Sequence, residues 1–130
     1  MRKPVILSAE DNPVNRRIIR DLLGSRGYEV LEAANGRDAI AMAQRHLPDL
    51  ILMDIQLPGI SGYEAARAIK ARPELRHIPI VAVTSYALSG DDQRALDAGC
   101  EHYISKPFHP RDLLDLVERR LAARADAADA

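Results

Sequence analysis

The chain has 130 residues, of which 47% are hydrophobic and 28% charged; that is one domain's worth of a globular mixture, which excludes the disordered and fibrous classes. Lys and Arg total 18 against 19 Asp and Glu, for a formal net charge of −1, so there is no basic field to hold a nucleic-acid backbone or an anionic membrane. Four Tyr, one Phe and no Trp are too few rings for a base-stacking platform, and the single cysteine, Cys100, excludes internal disulfides and cysteine-rich metal sites.

From the amino terminus, Val5-Ile6-Leu7 gives way to Glu10 and Asp11 too soon for a signal-peptide core. The apolar run Leu50 to Met53 falls far short of the ~18 residues of a membrane span. Cytoplasmic residence, with no membrane partner, is the expectation.

Five short apolar runs, Pro4 to Ala9, Tyr28 to Ala33, Asp49 to Met53, Pro79 to Val83 and Cys100 to Ser105, each precede a segment of helical character. Helix starts are marked by Asn12 with Pro13, by Ser61 with Glu64, by Ser89 with Asp92 and by Pro110, and Gly27 supplies a stop. Val14, Ile18 and Leu22 in the first helix, and Leu114, Val117 and Leu121 in the last, have core-facing spacing. Strands alternating with single helices imply an α/β fold: a doubly wound parallel sheet with helices on both faces. The third and fourth runs are continuously apolar, whereas polar residues interleave the second and fifth, which therefore read as edges. Edges at those positions favour the flavodoxin-like order 2-1-3-4-5 over the Rossmann order.

Ligands of such a sheet sit beyond the carboxyl ends of its strands. Glu10 and Asp11 follow the first strand, Asp54 ends the third, Thr84 the fourth and Lys106 the fifth. Alone, Glu10-Asp11 suits a solvated helix start, Lys106 plain surface and Thr84 an ordinary strand end; together they place three carboxylates, a hydroxyl and an ammonium on one rim. The formal charge of that group is −2, and two like charges ~4 Å apart cost about 4 kcal/mol at an effective dielectric of ~20. A divalent cation would neutralise it, and an all-oxygen set suits Mg²⁺ (or Mn²⁺) rather than zinc. Asp54 then reads as a nucleophile forming an aspartyl phosphate, with Lys106 and Thr84 steadying the transferring oxygens. The scattered His46, His77, His102 and His109 have no zinc-like spacing, and Gly59 and Gly62 lack the context of a phosphate loop.

The run Glu10-Asp11-Asn12-Pro13, the stretch from Pro48 through Asp54 to Pro58, Thr84 and Lys106-Pro107 resemble the receiver domain of two-component response regulators over about residues 3 to 122. The resemblance implies a CheY-like fold in which Asp54 is the phospho-acceptor, and Glu10, Asp11, Asp54 and the backbone carbonyl of Gln56 bind the metal. It makes Thr84 and Tyr103 a switch pair, and implies that Tyr86, two beyond Thr84, and Gln56, two beyond Asp54, influence phosphoryl lifetime. Ser8 and Ala9 depart from the usual aliphatics. A histidine kinase or histidine phosphotransfer protein would donate, and a protein target would dock on the face of the fourth helix, fifth strand and fifth helix.

The expected organisation is a receiver domain over residues 1–124 and a short tail over 125–130, without an output domain. A receiver from a hybrid histidine kinase would look the same. An aspartate-nucleophile phosphatase of the haloacid dehalogenase kind is disfavoured because Gln56 stands where its second aspartate, the general acid, belongs. A degenerate receiver is disfavoured by the full set of acidic, hydroxyl and lysine groups. The expected role is phosphorelay signalling rather than enzymatic turnover.

Overall fold

A computed structural model describes residues 3–84 and 91–129. Five strands, β1 (Val5–Ala9), β2 (Glu29–Ala33), β3 (Leu50–Asp54), β4 (Ile80–Thr84) and β5 (His102–Ser105), form one parallel sheet in the order β2-β1-β3-β4-β5. Helices α1 (Pro13–Ser25), α2 (Gly36–His46), α3 (Gly62–Lys70), α4 (Asp91–Asp97) and α5 (Pro110–Asp129) connect and follow them. The expected strand order is the observed one. β3 and β4 are buried throughout while β2 and β5 are partly exposed, as the apolar and interleaved runs require. None of the described helices is long and apolar enough to cross a membrane.

Strand alternation divides the core into two layers. Leu7, Ile51, Met53, Ile80 and Ala82 point toward Ala39, Ala43, Ala65, Ala66, Ile69 and Ala95 of α2, α3 and α4. Ile6, Leu50, Leu52, Val81 and Val83 point the other way, toward Ile19 and Leu23 of α1 and Leu113, Leu116 and Val117 of α5. Small alanines on the first face let α2, α3 and α4 approach the sheet closely.

The helix ends follow local chemistry. The Asn12 side chain accepts from Val14 N and Asn15 N at 2.9 and 3.1 Å, with Pro13 at the first helical position. Ser61 and Glu64 form a reciprocal capping box at α3. At the end of α1, Gly27 N donates to Gly24 O at 3.0 Å and Tyr28 N to Leu23 O at 3.3 Å, with Gly27 at φ +83°, the Schellman arrangement that favours glycine. The Ser89–Asp92 box lies outside the described residues.

One expectation is corrected. Val14 and Ile18 are 67% and 47% exposed, and α1 buries Ile19 and Leu23 instead, with Leu22 only half-buried. The doublets Ile18-Ile19 and Leu22-Leu23 offer two stripes one residue apart; the rotation observed brings Arg16 and Arg20 to Glu32 on β2. α5 runs on through Asp129, in keeping with the high helix propensity of an alanine-rich run. The stripe on α5 stands as expected, with Leu114 and Val117 buried and Leu121 packed against them.

Candidate functional site

The carboxyl ends of β1, β3 and β5 converge on one open cleft of about 590 Å³, lined by Glu10, Asp11, Asn12, Pro13, Asn15, Asp54, Gln56 and Lys106; Thr84, at the end of β4, is not among the residues that line it. Asp54 is the last residue of β3 and is 4% exposed. Its two carboxylate oxygens are held differently: Oδ1 accepts from Gln56 N at 2.9 Å and Oδ2 from Lys106 Nζ at 2.7 Å. The same ammonium donates to Glu10 Oε2 at 2.9 Å. Glu10 Oε1 accepts from Asn12 N at 3.2 Å, so the acid is bound at both ends before any ligand arrives.

Glu10 is 2% exposed. Burial, and then the neighbouring Asp54, push its carboxyl above the ordinary 4.5, against the opposing pull of Lys106. For Lys106 burial works against the charged form, but its bonds to Asp54 and Glu10 outweigh it and the ammonium is held above 10.5. A lysine stays charged throughout the physiological range here because two carboxylates share it.

Glu10, Asp11 and Asp54 each offer a carboxylate oxygen within 4.8 Å of the others. Asp11 is exposed and completes an acidic edge facing solvent. Hard oxygens in that number, on an open cleft that admits water, fit Mg²⁺, which keeps several waters of its own. Gln56 lies at the cleft with an exposed side chain.

Thr84 ends β4 and is 1% exposed; its carbonyl accepts from Lys106 N at 2.7 Å, which fixes the lysine backbone beside the cleft. The Lys106–Pro107 peptide is cis. Tyr103 sits on β5, half-buried against the α2–α4 side of the core, with its ring 5.8 Å from that of His102. Tyr86 lies outside the described residues. His46, His77 and His109 are exposed, and Cys100 is buried, with burial raising its thiol to about 12. An inert, protonated thiol of this kind takes no part in the site.

Two residues that matter to the site carry no signal in the sequence. Gly62 begins α3 directly behind Asp54: a Cβ there would lie 2.2 Å from the Asp54 carbonyl oxygen and 2.7 Å from Ile55 Cα. Gly62 N donates to Ile55 O at 3.0 Å, so the helix is docked backbone to backbone against the strand end that carries the acid. Arg16, on α1, reaches back to the carbonyl of Glu10. Neither role is visible without the chain's path.

The family model for the response regulator receiver domain matches residues 6–118. The polar-differentiation response regulator DivK of Brucella anthropi is 45% identical over 116 residues, covering 89% of this chain and 94% of that protein. DivK of Brucella ovis is 45% identical over 121 residues, covering 93% and 98%. Among solved structures, the receiver domain of the sensor histidine kinase PA1611 from Pseudomonas aeruginosa, with a magnesium ion coordinated in its active-site cleft, superposes with a TM-score of 0.88 at 41% identity, covering 93% of this chain and 99% of that one. Chemotaxis protein CheY4 of Vibrio cholerae superposes with a TM-score of 0.86 at 30% identity, covering 91% and 98%. With its strand order, its acid-and-lysine cleft and these relatives, the chain belongs to the response regulator receiver domain family, the phosphorelay signalling module of two-component systems.

Proposed function

We propose that Asp54 accepts a phosphoryl group from the phosphohistidine of a histidine kinase or histidine phosphotransfer protein. The observation that carries this is the Asp54 carboxylate at the floor of an open cleft, bonded at 2.7 Å to a lysine that it shares with Glu10. A carboxylate oxygen of Asp54 attacks phosphorus as the phosphorus–nitrogen bond of the donor breaks. The electron pair stays on the imidazole nitrogen, which takes up a proton. The charge carried by the phosphoryl oxygens is met by Lys106 and by the hydroxyl of Thr84, and preorganised donors of this kind act where charge develops.

Glu10, Asp11, Asp54 and the backbone carbonyl of Gln56 would hold Mg²⁺ (or Mn²⁺). When bound, the metal offsets the excess negative charge of the acids and of the incoming phosphoryl group. Thr84 and Tyr103, one strand apart at the β4–β5 end of the sheet, form the switch pair, and the face of α4, β5 and α5 carries the signal to a protein target. Leu96 of α4, 48% exposed, is an apolar side chain available on that helix. This role places the protein in the cytoplasm, as a phospho-acceptor rather than a turnover enzyme, with residues 1–124 as the receiver unit.

Incubation with acetyl phosphate and Mg²⁺ followed by intact-mass measurement tests the proposal. One phosphoryl group should be gained, and none in Asp54→Ala or in EDTA. Rapid turnover of phosphoesters would instead mark a phosphatase, and no uptake at all would overturn the acceptor role.

A further inference from the structure

Arg16 lies outside the set of charged groups used above, yet it touches the backbone of that set. Its Nη1 donates to the carbonyl oxygen of Glu10 at 3.3 Å, and its Nε lies 3.8 Å from Glu32 Oε2 on β2. Glu32 is itself held by Arg20 Nη1 at 3.2 Å. On the other side of the same residue, Glu10 N donates to Ala33 O at 2.9 Å. The backbone of Glu10 is thus pinned at its N–H by β2 and at its carbonyl by α1. What the pinning fixes is the start of the peptide that leads into Asp11, the exposed acid of the cleft.

We infer that Arg16 is a positioning residue of the metal site, holding the Glu10–Asp11 backbone so that both carboxylates face the cleft. The guanidinium fork suits this task because its nitrogens can serve a carbonyl and a carboxylate at once, from one rigid plane. The inference rests on the metal reading given above and adds to it a residue that is not a ligand.

Two effects of Arg16 oppose each other. Its positive charge repels a divalent cation, whereas its hydrogen bond holds the loop that binds one. Glu32, paired with it and lying 26% exposed, offsets the charge, which leaves the hydrogen bond to decide. The two effects predict opposite signs for loss of the side chain: tighter Mg²⁺ binding if repulsion dominates, weaker if positioning does. Groups that orient metal ligands from outside the coordination sphere commonly change metal affinity by about 10- to 100-fold when removed.

The test is calorimetric titration of the full chain with MgCl₂ alone, for wild type, Arg16→Gln and Arg16→Lys, with urea unfolding of each in EDTA. The dissociation constant for Mg²⁺ should rise about tenfold in Arg16→Gln. It should also rise in Arg16→Lys, which keeps the charge and loses the two-point contact, and which carries the test if the glutamine variant does not fold. A purely structural role would lower the urea midpoint and leave the dissociation constant of the folded protein unmoved. Unchanged or tighter Mg²⁺ binding in the variants, against normal binding by wild type, overturns the role of Arg16 alone. A wild-type protein that takes up no Mg²⁺ overturns the metal reading and this inference with it.

Discussion

Gly62→Ala adds a single methyl group at a helix start that the chain docks directly against the acceptor residue. The new Cβ would sit 2.2 Å from Asp54 O, 2.7 Å from Ile55 Cα and 2.9 Å from the Asp54 carbonyl carbon. All three neighbours are backbone, so no side chain can swing aside. An ordinary carbon–oxygen contact needs more than ~3 Å, and α3 and the end of β3 must therefore separate by about 1 Å. Overpacking of this kind costs roughly 1–3 kcal/mol. The Gly62 N to Ile55 O bond, 3.0 Å long, is stretched by the same movement at a cost of about 1 kcal/mol. Replacing a helical glycine with alanine returns up to ~1 kcal/mol in backbone entropy, so the net destabilisation should be about 1–3 kcal/mol. Phosphoryl uptake should fall further than stability does, because a ~1 Å misplacement of a reacting group can cost about 10²-fold. Gly24→Ala in α1 is the matched control: nothing lies within 4 Å of its Cβ position, so the entropy gain acts alone and this variant should be more stable than wild type. Urea unfolding by circular dichroism and intact-mass phosphorylation read both quantities. If Gly62→Ala unfolds at the wild-type midpoint and takes up phosphate at the wild-type rate, the docking of α3 does not position Asp54.

Glu10 and Lys106 yield predictions of opposite sign. The carboxyl of Glu10 is raised by burial and then by Asp54, so above pH 4.5 the folded protein retains a proton that the unfolded chain has released. The stability this contributes is full below 4.5 and is lost as pH rises through the raised value. Glu10→Gln should then be more stable than wild type in EDTA near neutrality, the advantage vanishing below pH 4.5, while Mg²⁺ binding weakens; an advantage confined to acid pH would refute the burial argument. Lys106→Met removes the cation bonded to both Glu10 and Asp54, at 2.9 and 2.7 Å. Two carboxylates left facing each other at ~4 Å repel by about 4 kcal/mol at an effective dielectric of ~20, and breaking a buried pair typically costs about 3–5 kcal/mol. With the lysine 21% exposed, a loss near 3 kcal/mol is expected in urea unfolding without metal, together with a drop of about 10²-fold or more in phosphoryl uptake. Uptake at the wild-type rate in Lys106→Met would exclude the lysine from the transfer step.

The sheet was legible because its information is local and redundant. Leu50-Ile51-Leu52-Met53 and Ile80-Val81-Ala82-Val83 state by composition alone that they lie between two helical layers, and strand order follows from which runs lack that character. The site was legible because residues at strand ends are brought together by topology, so segments far apart in sequence needed only the fold to become neighbours. Rotation of α1 was not legible. Its apolar doublets fit two faces equally well, and the face observed is accompanied by ion pairs of Arg16 and Arg20 with Glu32, contacts between elements that periodicity cannot register. Gly62 is silent in the sequence for a related reason: a glycine announces itself there through phosphate-loop spacing or a turn, whereas here it is required by the closeness of the β3 backbone. Ser8 shows the limit from the other direction. Its hydroxyl, on the strand that leads to Glu10, is buried with no hydrogen-bond partner among the described residues, a polar atom in a place that apolar patterning assigns to an aliphatic.

The two ends of the sheet use the same residue types to contrary purposes. At the amino ends of the strands, Asp49 Oδ2 accepts from Val5 N at 2.7 Å, which ties β3 to β1. Glu101 Oε2 accepts from Ile80 N at 2.6 Å and pairs through its other oxygen with Lys70. The Lys70 ammonium also donates to Ile78 O at 2.7 Å and Arg76 O at 3.0 Å, so its three donors are spent on one carboxylate and two carbonyls. These three charges are answered by groups of this chain, which is the condition under which a partly buried ion pair holds structure. At the carboxyl ends one ammonium is divided between two buried acids while a third acid faces solvent, and the local charge stays at a formal −2. Stability alone would favour the first arrangement at both ends. The second makes sense for a group whose balance is completed from outside, by a cation and then by a phosphoryl group. That is why substitutions at the base should register in the unfolding midpoint alone, while those at the rim should register also in what the protein binds.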